Sequence, residues 1–186
     1  MVPEGTSAGG PLALSGVRVG IGWDLHRLVT GRSLFLGGVC VPYSHGLAGH
    51  SDADVVLHAL CDALLGAAAL GDIGELFPDS DPAWKGAASR RLVATVVERL
   101  RAAGYRPINV DLIVQAEQPR LGRFKAEIAQ SVAGMLGLDP SAVGVKAKTG
   151  EGLDAVGRGE AIACWAVALV ARDAGQPTHT RAGGPM

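Results

Sequence analysis

This chain has little of what marks a disulfide-stapled, membrane-spanning or nucleic-acid-binding protein. Its three cysteines, Cys40, Cys61 and Cys164, are odd in number, widely spaced and free of any CxxC pair. They exclude a disulfide framework and are expected as buried, reduced thiols. Basic clusters are equally scarce. None runs beyond Arg90-Arg91, and 17 Lys and Arg against 18 Asp and Glu leave a net charge of −1, which argues against a nucleic-acid surface. The longest apolar run near the C-terminus, Ala161 to Ala171, is too short to span a bilayer. Residues 1–14 have no basic n-region, no long apolar core and no arginine, so neither a signal peptide nor an organelle transit peptide is expected there. A cytoplasmic protein with no nucleic-acid and no membrane partner is the expectation. Histidine is scarce too, at five residues, which makes the placement of each informative.

Against these absences, 48% of the 186 residues are apolar and 19% charged, the balance of a globular chain with one core. The Gly-, Pro-, Ser- and Thr-rich ends read as flexible tails, 1–14 and 173–186, around a single domain, 15–172. His179 lies in such a tail and is expected to be solvated and idle. Arg18 to Trp23 reads as a strand. Leu34 to Leu36 and Val39 to Val41 flank Gly37-Gly38, a two-residue hairpin signal. Ser51 or Asp52 is placed to cap a helix running to about Leu70, dense enough in apolar residues to be buried on more than one side. Gly71 to Pro82 reads as a long acidic loop. Ser89 to Ala103 is amphipathic, with Leu92, Val93, Val96, Val97 and Leu100 on one face and Gly104 as its stop. Ile108 to Gln115 alternates like a strand. Pro119 is placed to open a helix to Leu136, stopped by Gly137. Val143 to Ala147 and Glu160 to Ala171 complete the set as strands. The order β, hairpin, α, α, β, α, β, β defines an α/β (α+β) two-layer sandwich, a mixed sheet with helices on one face.

The chemistry gathers at a few points. Asp24 and His26 lie two apart at the end of an apolar strand, so both side chains leave the same face. His58 sits in a helical segment eight residues after His50. Two imidazoles and a carboxylate, with no fourth protein ligand nearby, describe an open metal site of zinc type. Its net charge of +1 suits a phosphate oxygen. Asp54, His58 and Asp62 follow at i, i+4 and i+8 along one helix face, where Asp62 or Asp54 is expected to orient the His58 ring. Lys146 to Gly152 is a polar turn after a strand, with lysines, the Thr149 hydroxyl and glycine amides suited to phosphate, and Glu151 suited to Mg²⁺. Arg158 and Glu160 flank Gly159 before the last strand. They read either as a structural ion pair or as a polar ring around an axis of identical copies.

Five stretches in register carry a resemblance: Gly20–His26, His50–His58, Asp62–Gly74, Leu76–Pro82 and Gly157–Glu160. Together they span roughly residues 17–172, and the chain resembles the 2-C-methyl-D-erythritol 2,4-cyclodiphosphate synthase family. The resemblance implies a homotrimer with active sites between subunits and Zn²⁺ on Asp24, His26 and His58. It implies a cytidine diphosphate-linked substrate, 4-diphosphocytidyl-2-C-methyl-D-erythritol 2-phosphate, that cyclises with release of CMP. His50 and Ser51 would touch phosphate, Asp72 and Gly74 the ribose, and Asp54 the methylerythritol unit. Phe77, Pro78, Asp79, Ser80 and Asp81 would form a flexible flap over that unit. Ala116, Pro119, Arg120 and Leu121, with Ala147, Lys148 and Thr149, would hold the cytidine and its phosphates. Glu151 would carry Mg²⁺ or Mn²⁺, and Thr149 and Asp54 would be the catalytic pair. Arg158 counts among the substrate-binding residues and, with Glu160, would line a central cavity that in some members takes an isoprenoid diphosphate.

Two positions depart from the family. Lys148 stands where threonine is common and adds a charge beside the phosphates. Ala155 stands where an aromatic is common near the trimer axis, and the lost stacking surface counts against an isoprenoid diphosphate here. Two further readings remain beside the cyclising lyase: a zinc-dependent nucleotide phosphohydrolase and a non-catalytic trimeric metabolite-binding module.

Overall fold

The computed structural model describes residues 16–78, 80–84 and 86–173. The expectations for the tails fall outside these residues, apart from Asp173, which pairs with Arg106 at 3.5 Å. The first strand, β1 (Val17–Thr30), runs on through Asp24 and His26 instead of ending before them. The reason is pairing. It lies antiparallel to the last strand from Val17 to Arg27 and to a short strand from Leu28 to Thr30. The expected hairpin forms from β2 (Leu34–Leu36) and β3 (Val39–Val41). Gly37 and Gly38 have φ of 62° and 76°, as a tight turn of this kind demands. The short strand, β4 (His45–Leu47), was not legible in the sequence.

Helix α1 (Val55–Ala68) is capped by Asp54 and not by Ser51 or Asp52, because the Asp54 carboxylate accepts from the amides of Val56 and Leu57. Every residue of α1 is buried except His58, Asp62 and Gly66, so the helix is covered on more than one side, as its composition predicts. The acidic loop contains a short helix, α2 (Ile73–Leu76), capped by Asp72, and a 3-10 turn at Pro82–Trp84. Helix α3 (Ser89–Ala102) buries Leu92, Val93, Val96, Val97 and Leu100 as its periodicity requires. Strand β5 (Tyr105–Gln115) precedes α4 (Lys125–Leu136), which starts after a 3-10 turn at Gly122–Phe124 and not at Pro119. Then come β6 (Val143–Lys148), α5 (Asp154–Gly157) and β7 (Ala161–Arg172).

The sheet order is β4-β1-β7-β5-β6, and only β5 and β6 run parallel, so the sheet is mixed. Helices α1, α3 and α4 cover one face. Alternation along β1 divides its side chains. Gly20, Gly22, Asp24 and His26 face α1, while Val19, Ile21, Trp23 and Leu25 face away and are 40–70% exposed. Glycine at two of the inward positions decides how close the helix comes. A Cβ on Gly22 would stand 2.0 Å from the Ala59 carbonyl oxygen, and one on Gly20 would stand 2.1 Å from that of Ala63. Alternation also corrects one cysteine. Cys61 and Cys164 are buried, with burial pushing their thiols up, but Cys40 is exposed, because Val39 and Val41 take the inward positions of β3.

Candidate active site

Strand β1 and helix α1 meet at three side chains. Asp24 and His26 leave the inner face of β1 side by side, and His58 reaches them from the first turn of α1. Asp24 Oδ2 lies 2.8 Å from His26 Nε2 and 3.0 Å from His58 Nδ1, and the two nitrogens are 3.0 Å apart. Among the described residues this is the one group of His, Cys, Asp or Glu side chains able to hold a metal ion. The donors fit a divalent cation. His26 Nδ1 lies 2.7 Å from the Ala48 carbonyl, which can only accept, so the ring proton sits on Nδ1 and Nε2 turns its lone pair to the centre. Asp24 Oδ1 accepts the Leu25 amide at 2.8 Å, leaving Oδ2 for the centre.

The electrostatics agree with a strong local pairing. Burial opposes ionisation of Asp24, but in the absence of a metal the hydrogen bonds and charges of His26 and His58, when their rings are protonated, outweigh it and hold the carboxyl well below its usual range. Burial likewise opposes charge on His26, and the Asp24 partner outweighs it and raises the imidazole. A cation at the centre would take over this role of compensating the carboxylate.

The row of Asp54, His58 and Asp62 divides. Neither carboxylate bonds to the His58 ring. Asp54 is fully buried, and its carboxylate accepts the amides of Gly37 at 2.8 Å, Gly38 at 2.6 Å, Val56 at 3.1 Å and Leu57 at 3.2 Å. It ties the β2–β3 turn to the start of α1, and it is not among the residues lining the cavity, unlike the place expected of a catalytic residue. Asp62 accepts the Ile73 amide at 2.8 Å and so fixes α2 against α1. The groups that do reach His58 are hydroxyls: Ser89 Oγ at 3.0 Å and Ser51 Oγ at 3.1 Å from Nε2. Ser89 was missed in the sequence. It has no motif spacing to His58, and only the packing of α3 on α1 brings it there.

A cavity of about 500 Å³ opens on the three ligands, with His50, Ser51, Gly74, Phe77 and Pro78 in its wall. Trp84 and Leu92 also line it and were not anticipated. Phe77 is buried and stacks edge-on against Trp84, with ring centroids 4.7 Å apart, so it anchors the expected flap instead of swinging with it. Asp72 uses Oδ1 to accept the Glu75 amide at 2.8 Å, and its other oxygen has no hydrogen-bond partner among the described residues. Ser80 and Asp81 stand outside the wall, where Asp81 accepts the Ala83 amide at 2.9 Å, and Asp79 is outside the described residues.

A second cavity, of about 620 Å³, lies where β5 and β6 end and α4 begins. Ala116, Arg120, Leu121, Ala147, Lys148, Thr149 and Glu151 line it as expected; Pro119 does not, and Gly122 and Lys125 are additions. The Thr149 hydroxyl donates to Glu151 at 2.7 Å, and Glu117 accepts the Gly150 amide at 3.1 Å, which shapes the turn. The two cavities share no lining residue, and β7 stands between β1 and the β5–β6 pair. Arg158 and Glu160 form a two-point ion pair at 2.9 and 3.3 Å on the surface, outside both cavities, and Ala155 packs in a small cluster with Val156 and Trp165.

The fold and the site define a small α/β sandwich with two histidines and one carboxylate able to hold a metal at a strand–helix junction, and a basic, hydroxyl-bearing cavity beyond it. The chain belongs to the YgbB family, whose model matches residues 17–171. It is 54% identical over 155 residues to 2-C-methyl-D-erythritol 2,4-cyclodiphosphate synthase of Bordetella petrii, covering 83% of this chain and 96% of that one. Among solved structures it is similar to the bifunctional IspDF of Campylobacter jejuni, with a TM-score of 0.81 and 40% identity over 84% of this chain. The match spans 42% of that longer chain. A 2C-methyl-D-erythritol-2,4-cyclodiphosphate synthase in its CDP-bound form matches with a TM-score of 0.76 and 37% identity, over 82% of this chain and 99% of that one.

Proposed function

We propose that this protein is a phosphorus–oxygen lyase of the non-mevalonate isoprenoid pathway. It converts 4-diphosphocytidyl-2-C-methyl-D-erythritol 2-phosphate to 2-C-methyl-D-erythritol 2,4-cyclodiphosphate and CMP. The observation that carries the reading is the convergence of Asp24, His26 and His58 on one point at the mouth of a cavity, in a chain more than half identical to a synthase of that name. Zinc on these ligands, with Mg²⁺ or Mn²⁺ at Glu151, would supply positive charge to the diphosphate oxygens.

The chain's own residues have mainly to fold the substrate, since nucleophile and electrophile belong to one molecule. His50 and Ser51 bind phosphate beside the ligands, and Asp72 and Gly74 hold the ribose. Phe77 and Pro78 exclude water over the methylerythritol unit. Arg120, Lys148 and Thr149 hold the cytidine phosphates, with Thr149 aligning the reacting group. The attacking phosphate is already anionic, so no general base is required. Asp54 contributes from behind, by setting α1 and the hairpin.

The protein works in this reading as a cytoplasmic homotrimer, with the metal-side cavity of one copy facing the nucleotide cavity of the next. Two features support this: the separation of the cavities within one chain, and the exposed apolar face of β1 and β7 with Trp23 and Trp165 side by side at 6.3 Å. An isoprenoid ligand is not part of the reading, because Arg158 and Glu160 satisfy each other and Ala155 offers no stacking surface. Phosphorus NMR of the reaction tests the proposal. A cyclic diphosphate with CMP is expected. A linear product would establish a hydrolase, and unchanged substrate a binding module.

A further inference from the structure

His58 can serve as a ligand only if its Nδ1 is bare, and nothing in β1 enforces that. Behind the ring, on the side away from Asp24, stands a buried line of polar groups. Ser89 is fully buried and Ser51 nearly so. Ser89 Oγ lies 3.0 Å from His58 Nε2 and donates a short hydrogen bond to Asp52 Oδ1. Asp52 also accepts the Ser89 backbone amide at 3.1 Å, which starts α3.

We infer that Asp52 and Ser89 are positioning residues that fix the tautomer of His58 and thereby keep the cation site open. The argument is proton bookkeeping. An ionised carboxylate has no hydrogen to give, so the Ser89 hydroxyl proton goes to Asp52. Ser89 Oγ then offers His58 only lone pairs, which favours the hydrogen on Nε2. Ser51 is compatible with the same scheme: its Oγ accepts the Ala53 amide at 3.0 Å and lies 3.1 Å from Nε2 and 3.2 Å from Ser89 Oγ, so in this tautomer its own hydrogen turns to Ser89. With the proton on Nε2, the bare Nδ1 points at Asp24 Oδ2 and His26 Nε2. The opposite tautomer would put a hydrogen between Nδ1 and Asp24, 3.0 Å apart, and close the site with an ordinary hydrogen bond. Asp52 and Ser89 thus decide between a metal site and a simple His–Asp pair. Partners of this kind behind a ligating imidazole are worth about 10- to 100-fold in metal affinity.

The inference deepens the metal reading given above, and its test separates the two. Nitrogen-15 NMR of the metal-free wild-type protein, at a pH where both imidazoles are neutral, is expected to show His58 in the Nε2–H form. Ser89→Ala keeps the amide that caps α3, so the fold is retained while the hydroxyl is lost. In that variant the His58 signal is expected to move toward the Nδ1–H form. Its zinc affinity, read by competition with a chelator, is expected to fall about 10- to 100-fold, with turnover restored by excess zinc. Ser51→Ala is expected to change neither tautomer nor zinc affinity. A wild-type His58 in the Nδ1–H form overturns the inference, as does a Ser89→Ala protein with unchanged tautomer and affinity. A wild-type protein that takes up no zinc would end the metal reading, and the NMR of the metal-free chain would still decide the tautomer.

Discussion

Four backbone amides converge on the carboxylate of Asp54, which is inaccessible to solvent. Burial pushes that carboxyl up, and the amides from Gly38, Gly37 and Leu57 oppose the shift. Asp54→Ala would orphan all four donors. We expect a loss of about 3 kcal/mol in urea unfolding, from the lost cap and the unsatisfied amides together. Neighbouring His58 should behave oppositely: His58→Ala abolishes zinc uptake and turnover while the circular dichroism spectrum stays native, because its side chain faces the cavity and not the core. Asp62 carries a pH signature. Burial raises its carboxyl above the unfolded value, so the folded chain binds that proton more tightly and stability falls as pH rises from the unfolded value through the raised one. Asp62→Asn keeps an acceptor for the Ile73 amide and should flatten that slope in urea midpoints measured across the carboxylate range. At this scale the sequence displayed the convergence of Asp24, His26 and His58 well, since the two-residue spacing of Asp24 and His26 is itself a geometric fact about a strand. It gave no warning about Asp54, whose i, i+4 relation to His58 is real but whose side chain is turned to the amides at the helix start.

At the level of elements, the joint between β1 and α1 matters most. Gly20 and Gly22 let the helix backbone sit directly on the strand, and His58 gains its reach from that closeness. Gly22→Ala would drive a methyl group into the Ala59 carbonyl and has no flexible neighbour to displace. Overpacking of this kind costs about 1–3 kcal/mol, and the displaced helix should also weaken zinc binding, read by chelator competition alongside the unfolding midpoint. Long periodic elements were legible: α3 and the last strand form where the pattern places them, as does the hairpin that Gly37-Gly38 signals. Short ones were not. Strand β4 exists because the end of β1 offers it an edge, and α2 because Asp62 and Asp72 hold its first turn, and neither cause leaves a periodic trace.

The whole molecule presents a contradiction that a second copy would resolve. Val19, Ile21, Trp23 and Leu25 form an apolar row on the sheet face that the described helices leave open. Ile21→Glu should yield a monomer in sedimentation, with turnover lost and zinc affinity retained, because Ile21 points away from the ligands. Retained turnover in such a monomer would refute the shared-site reading. The five sequence stretches hold most residues of the first cavity and none of the second, and nothing local to them shows that β7 keeps the cavities apart. That separation is a property of strand order, which only the folded sheet displays.

The closeness of α1 to β1 also sets an order of events in the life of the chain. Asp24 and His58 are 34 positions apart and meet only after the helix has docked on the two glycines. A growing chain that has made β1 alone therefore has only two of the three side chains of the proposed metal site and would hold an ion more weakly than the docked chain. An ion held by all three side chains would tie the strand to the helix, so metal loading would stabilise the docked joint.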